Sequence, residues 1–99
     1  MDMVNVRDLF RKQEEYVDQT VTIGGWVRSI RNSKNFGFIV VNDGTFFEPV
    51  QVVYSNVLEN FDDVEKLNVG AAIIVTGKLV ATPGTKQPFE IQATEVVVE

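Results

Sequence analysis

A helical spacing of apolar residues interrupts an otherwise strand-like sequence, and the position of this interruption constrains the fold most. Between Ser55 and Asn68 the apolar side chains recur at spacings of three and four, with acidic residues between them, and Gly70 follows. This spacing predicts a short amphipathic helix that ends near the glycine. The segments before and after it instead carry the alternation and the β-branched residues of strands.

Five segments have this strand-like character, three before the helix and two after it. Their predicted bounds are 20–31, 36–42, 50–54, 72–80 and 89–98. The Gly24-Gly25 pair inside the first strand predicts a bulge or a sharp bend, and we expect Trp26 beside it to be sheltered by apolar neighbours. Asp43-Gly44 predicts a turn after the second strand.

A further helix is predicted at the N-terminus, over about residues 4–17, where apolar residues at helical spacings are separated by charged ones. Asn5 or Asp2 is the candidate N-cap. Two short helices cannot cover a flat sheet of five strands, so we expect the sheet to close into a barrel with a helix plugging one end.

This order defines an expected fold class, all-β with accessory helices. A helix between the third and fourth strands of a five-stranded barrel is the order of the oligonucleotide-binding (OB) fold. The 99 residues are of single-domain length. We therefore predict one OB-fold domain over residues 1–99, with the N-terminal helix at about 4–17 and the barrel at about 20–98.

The composition excludes several classes of function. The chain has no Cys and no His, which excludes disulfides, thiolate zinc sites and His-based catalysis. No apolar run approaches the roughly 18 residues that a membrane helix needs, and no apolar leader is present. We expect a soluble cytoplasmic domain that has no membrane partner, no catalytic residue, no metal ligand and no cofactor of its own.

The net charge of −5 argues against a nucleic-acid partner, but the charge is segregated along the chain. No acid lies between Asp18 and Asp43, and this stretch contains Arg28, Arg31 and Lys34. These three cations, at the end of the first strand and in the loop after it, either bind phosphates or are merely solvated.

The second and third strands of an OB barrel are the usual surface for single-stranded nucleic acid. If the aliphatic residues of these strands point inward, Phe36, Phe38 and Gln51 point outward. A ring could then stack on a base, and the amide of Gln51 could read the edge of a base. The alternatives are that the rings belong to the core and that Gln51 is a solvated polar position. Glu90, which opens the last strand, either accepts hydrogen bonds from a base or is ordinary surface.

Four segments of the sequence, together with Phe38, resemble a known family. The segments 25–34, 43–53, 75–80 and 89–93, together with Phe38, are similar to the N-terminal anticodon-binding domains of class IIb aminoacyl-tRNA synthetases, and most similar to the asparaginyl branch. The first two read Gly-Trp-Val-Arg-Ser-Ile-Arg-Asn-Ser-Lys and Asp-Gly-Thr-Phe-Phe-Glu-Pro-Val-Gln-Val-Val. The resemblance covers almost the whole chain, from about Val4 to Val98.

The resemblance implies a partner, the anticodon loop of tRNA, and roles for four residues. Phe38 would stack on the central uridine of the anticodon, Gln51 would hydrogen-bond to it, and Arg31 and Glu90 would help to hold the flanking bases. It also implies a full-length homodimeric ligase that joins asparagine to tRNA with ATP and Mg²⁺. The motifs for that activation chemistry are absent, so we expect a non-catalytic domain separated from the catalytic domain.

Other functions remain open from the sequence. An aspartyl-type synthetase domain is one, since the cognate anticodons share their first two bases. A free-standing OB-fold module that binds single-stranded nucleic acid is another, although it would favour a more basic face. A module that uses the barrel for protein contacts is the third.

Overall fold

The fold is a closed barrel of five strands with two short N-terminal helices, in a computed structural model that describes residues 3–32, 36–46, 48–56, 58, 61, 64, 66–82 and 89–98. The helices are α1 (Val6–Arg11) and α2 (Gln13–Tyr16), and the strands are β1 (Thr20–Asn32), β2 (Phe36–Asn42), β3 (Val50–Ser55), β4 (Ala72–Ala81) and β5 (Phe89–Val98). The order around the barrel is β1-β2-β3-β5-β4, and β4 pairs with β1 to close it. The predicted OB-fold barrel is therefore confirmed.

The long first strand closes the barrel because it pairs with a different neighbour along each half. Residues 20–26 pair with β4 and residues 26–32 pair with β2, so Trp26 is paired with Asn42 on one side and with Ala72 on the other. The prediction that Trp26 is sheltered is wrong, since 43% of its surface is exposed. Its side chain lies on the outside of the barrel at this change of partner, with the ring beside Gly44.

The predicted irregularity in β1 lies further along the strand than the glycine pair. The bulge falls between Val27 and Ser29, and the pairing of Gly24 and Gly25 with β4 is regular. Gly25 is required for a different reason, because a Cβ there would lie 2.5 Å from the carbonyl oxygen of Asn42. Close approach between strands thus explains this glycine.

The core fills the inside of the barrel with side chains from every strand and from α1. Its largest fully buried members include Tyr54, Phe89, Leu9, Ile23, Ile39, Ile73, Leu79 and Ile91. The predicted single helix over 4–17 is two helices, because Lys12 (φ −123°, ψ 34°) leaves helical geometry. Val6 and Leu9 before the break are buried, and Tyr16 and Val17 after it pack against the core.

The helix predicted between β3 and β4, over 55–68, falls largely outside the described residues. Those of its apolar positions that are described face the barrel, since Leu58 and Val64 are buried and the ring of Phe61 lies 5.7 Å from that of Tyr54. Neither described helix has the length and apolar character of a segment that crosses a bilayer.

Candidate nucleic-acid interface

The register of three neighbouring strands places the candidate residues in two rows on the outside of the barrel. In one row Arg31 of β1 lies opposite Phe38 of β2, which lies opposite Val53 of β3. In the next row Ser29, Val40 and Gln51 are paired in the same way. Because residues two apart on a strand share a face, the two rows form one continuous surface.

The inward and outward alternation of β2 and β3 agrees with the prediction. The residues expected to face inward are all fully buried: Ile39, Val41, Val50 and Val52. Phe38 and Gln51 are partly buried and point outward, and 43% of Phe36 is exposed. The rings therefore lie outside the core, where a ligand can reach them.

A cleft of about 370 Å³ runs across these rows and brings together three of the predicted site residues. Its lining consists of Ser29, Arg31, Phe38, Val40 and Gln51. An aromatic face, a guanidinium and a side-chain amide thus open into one space. That set can stack a base, pair with a phosphate and exchange hydrogen bonds with a base edge.

The bulge in β1 explains why Arg28, next to Ser29 in the chain, is exposed. Strict alternation from Arg31 and Ser29, which are exposed, would turn Arg28 toward the core and Val27 outward. The extra residue at the bulge corrects this, so that Val27 is fully buried while Arg28 is exposed. Bulges commonly re-aim a side chain in this way near binding sites.

The other two predicted site residues, like Arg28, are not part of the cleft lining. Lys34 lies outside the described residues. Glu90 is half-buried on β5, and it follows Phe89, which is fully buried and fixes the start of the strand. β3 and β5 are parallel, with Val52 paired to Ile91, so the same register carried back by one residue sets Glu90 beside Gln51.

The cations at this surface are available for a ligand. Among the described residues the salt bridge found joins Arg7 and Asp8, and no described carboxylate pairs with Arg28 or Arg31. The described part of the chain also has no cluster of three or more side chains that could hold a metal ion. Phe38 can supply stacking, Gln51 hydrogen bonding and the two arginines cation contacts.

Reasoning from the sequence missed part of this surface. Ser29 and Val40 line the cleft, and their places could have been found from the two-residue spacing from Arg31 and Phe38. Sequence reasoning placed Phe36 outside without assigning it to the site, yet its ring packs edge-to-face on Phe38 at a centroid distance of 5.6 Å.

A larger groove lies elsewhere, and its lining does not suit a nucleic acid. It measures about 790 Å³ and lies between the end of β5 and the segment before β4. Its charged lining residues are Lys66 and Glu95, of opposite sign, while Leu67, Val97 and Val98 supply apolar surface. Phosphate contacts dominate binding of nucleic acids, so the cleft that contains Arg31 is the better candidate for a nucleic-acid site.

Comparison with known proteins agrees with the fold. The family of OB-fold nucleic acid binding domains (tRNA anti-codon) matches residues 21–99 of the sequence. The chain belongs to this family.

Individual relatives give a more specific similarity than the family does. Over all 99 residues the chain is 54% identical to an asparagine–tRNA ligase of Alkaliphilus oremlandii and 48% identical to one of Clostridium tetani. It spans 21% of the length of each. In three dimensions it is similar to the asparaginyl-tRNA synthetase of Pyrococcus horikoshii, with a TM-score of 0.83, 24% identity, and coverage of 99% of this chain and 22% of that one.

Proposed function

We propose that this chain is the anticodon-binding domain of an asparagine–tRNA ligase and that it binds the anticodon loop with the outer face of β2 and β3. The observation that carries the proposal is the cleft in which Arg31, Phe38 and Gln51 meet. The similarity to asparagine–tRNA ligases over all 99 residues supports the choice of tRNA over other single strands.

Each residue of the site has a distinct role in the proposal. The central base of the anticodon stacks on Phe38, and the amide of Gln51 donates to and accepts from its edge. Arg31 and Glu90 hold the flanking bases, with the carboxylate of Glu90 accepting hydrogen bonds from a base rather than facing a phosphate. Arg28 contacts the phosphate backbone, and Lys34 is assigned the same role.

The chain supplies recognition and no chemistry in this proposal. The ligation of asparagine to tRNA, with its ATP and Mg²⁺, belongs to the remaining four-fifths of the longer ligase. Dimerisation is assigned to that part as well, and the whole protein acts in the cytoplasm. The net charge of −5 leaves little general attraction for RNA. We therefore expect dissociation constants of roughly 10 µM to 1 mM for the isolated domain.

An NMR titration tests the proposal. Isotope-labelled chain is titrated at low salt with an anticodon stem-loop of tRNA(Asn), and with a control stem-loop whose central anticodon base is changed. We expect shifts to cluster at Arg31, Phe38 and Gln51 and to be larger at equal concentration for the first RNA. Equal shifts with the two stem-loops would favour a generic nucleic-acid module. An absence of shifts with either stem-loop would favour a protein-interaction module.

A further inference from the structure

Among the described residues, the seam between β3 and β5 has the shortest strand pairing in the barrel. Its residue pairs are Val52–Ile91 and Val53–Gln92. Every other pair of neighbouring strands is joined over at least six residue pairs. Gln51 and Glu90, which the proposed function places against RNA bases, each lie one residue before this seam. The strand pairing therefore does not by itself fix the distance between these two side chains.

Three aromatic rings join the segments that lead into Gln51 and Glu90. The ring of Phe10, on α1, stacks on that of Phe46 with a centroid distance of 4.8 Å and an interplanar angle of 26°. It also contacts the ring of Phe89, at 4.8 Å and 54°. Phe46 lies in the connection that leads into β3, and Phe89 is the residue before Glu90. Phe10 thus connects the start of β3 with the start of β5 at the open end of their seam.

The helix that carries Phe10 is itself fixed to the connection between β2 and β3. The backbone N–H of Val6 donates to the carboxylate of Asp43, and that of Arg7 donates to the hydroxyl of Thr45. Val6 and Leu9 are also fully buried in the core. Because α1 is held by these hydrogen bonds and by the core, it gives the ring of Phe10 a defined place against both neighbouring rings.

We propose that Phe10 is a positioning residue for RNA recognition: by packing between Phe46 and Phe89 it holds Glu90 at a fixed place beside Gln51. The proposal rests on the proposed function, in which Glu90 accepts hydrogen bonds from a flanking base. Phe10 does not line the cleft, so it acts through Glu90 and not through a contact of its own with the RNA.

Loss of the Phe10 ring should affect one RNA contact more than the others. Phe89 then loses a ring partner, and Glu90, the next residue, moves with it. A hydrogen bond from a base to that carboxylate weakens steeply as its distance and angle change. Phe38 is supported differently, because β2 is paired along its length on both sides. Stacking of the central base is therefore retained while recognition of the flanking base is lost.

A double-mutant cycle tests this role. The parent chain, Phe10→Ala, Glu90→Gln and the double variant are titrated at low salt with the anticodon stem-loop of tRNA(Asn). Two further stem-loops carry a changed first or third anticodon base. The quantity compared is the dissociation constant for a changed stem-loop divided by that for the cognate one.

Glu90→Gln should lower one of the two ratios by about five-fold or more, which identifies the flanking base that Glu90 meets. Phe10→Ala should lower the same ratio at least about two-fold and leave the other ratio unchanged. In the Glu90→Gln background, Phe10→Ala should change neither ratio. Phe10→Leu keeps apolar volume without the flat ring, so it should lower the same ratio, and it decides the question if the alanine variant does not fold.

Leu67→Ala is the matched control for a loss of stability alone. Leu67 is partly buried and packs against the core, but it lines the larger groove away from the cleft. This variant should unfold more easily than the parent and keep both ratios. If it lowers the ratio as Phe10→Ala does, Phe10 has a structural role only and the proposal is wrong.

The remaining outcomes separate this proposal from the proposed function. If Glu90→Gln lowers a ratio and the folded Phe10 variants do not, the function stands and the positioning role is excluded. If Phe10→Ala lowers the ratio equally in the parent and in the Glu90→Gln background, Phe10 does not act through Glu90 and the proposal is overturned. If the parent binds no RNA, or if Glu90→Gln lowers neither ratio, the role of Glu90 in the proposed function fails and the proposal fails with it.

Discussion

Asp43, in the turn after β2, caps a helix that lies 37 residues earlier in the chain, because its Oδ2 accepts a hydrogen bond from the backbone N–H of Val6 at 2.9 Å. Its Oδ1 accepts from both the N–H and the hydroxyl of Thr45, and that hydroxyl oxygen accepts from the N–H of Arg7. The first orphan donors of α1 are thus satisfied by a turn between strands. Asn5, the residue at the N-cap position, makes no side-chain capping bond.

The first prediction compares these two candidate caps. Asp43→Ala should lower the free energy of unfolding by about 2 kcal/mol, since it removes three accepted hydrogen bonds. Asn5→Ala, at an exposed side chain, should change it by less than about 0.5 kcal/mol. Urea unfolding followed by circular dichroism measures both. Equal losses would mean that Asp43 does not cap the helix.

The capping of α1 by Asp43 shows why the sequence alone could not predict part of the fold. The number and order of the strands and helices predicted the barrel, and the apolar alternation of β2 and β3 predicted the outward direction of Phe38 and Gln51, because periodicity is a local property of the chain. Asn5 carried the local signature of a cap, but the real cap depends on a contact between distant segments.

The same limit applies to the errors in β1. Gly24-Gly25 has the local pattern of a bulge, yet the bulge lies between Val27 and Ser29, in the half of β1 that pairs with β2 rather than with β4. Trp26 is exposed because the strand changes partners there, and the change is set by the closure of the barrel.

The second prediction concerns Gly37, which lies between Phe36 and Phe38 on β2. A Cβ at Gly37 would overlap the ring of Tyr54, which is fully buried and packs on Phe61. Gly37→Ala should therefore lower the free energy of unfolding by about 1–3 kcal/mol. Gly24→Ala is the matched control, because the nearest atom to its Cβ is Sδ of Met3 at 3.0 Å, the end of a flexible and exposed side chain. Thermal unfolding should rank the two variants in this order, and the reverse order would contradict the packing described.

The third prediction separates phosphate contacts from base contacts. Arg28→Gln should weaken binding of cognate and non-cognate stem-loops by the same factor and reduce the salt dependence, because phosphates carry no sequence information. Lys34→Gln should have the same two effects, a uniform loss of affinity and a reduced salt dependence. Arg11→Gln, at an exposed arginine of α1, should leave both quantities unchanged. Fluorescence anisotropy at several salt concentrations measures this, and a change in base preference on replacing Arg28 would count against a phosphate role.

The fourth prediction concerns the ring in the cleft. Phe38→Ala should weaken binding of the anticodon stem-loop about tenfold or more, because stacking of one base contributes about 1–3 kcal/mol. Phe38→Tyr keeps the aromatic face and should retain most of the affinity. Isothermal titration calorimetry at low salt gives both constants. An alanine variant that binds like the parent would remove Phe38 from the site.

The most direct test of the central claim, that the β2–β3 face reads the central anticodon base, is the effect of Gln51→Ala on discrimination. The quantity to measure is the dissociation constant for a stem-loop with a changed central base divided by the dissociation constant for the cognate stem-loop. A paired base-edge contact contributes about 1–3 kcal/mol of discrimination, so this ratio should fall about five-fold or more in the variant, while affinity for the changed stem-loop stays near that of the parent. A ratio that is the same in Gln51→Ala and in the parent chain would contradict the assignment of this face as the reading surface.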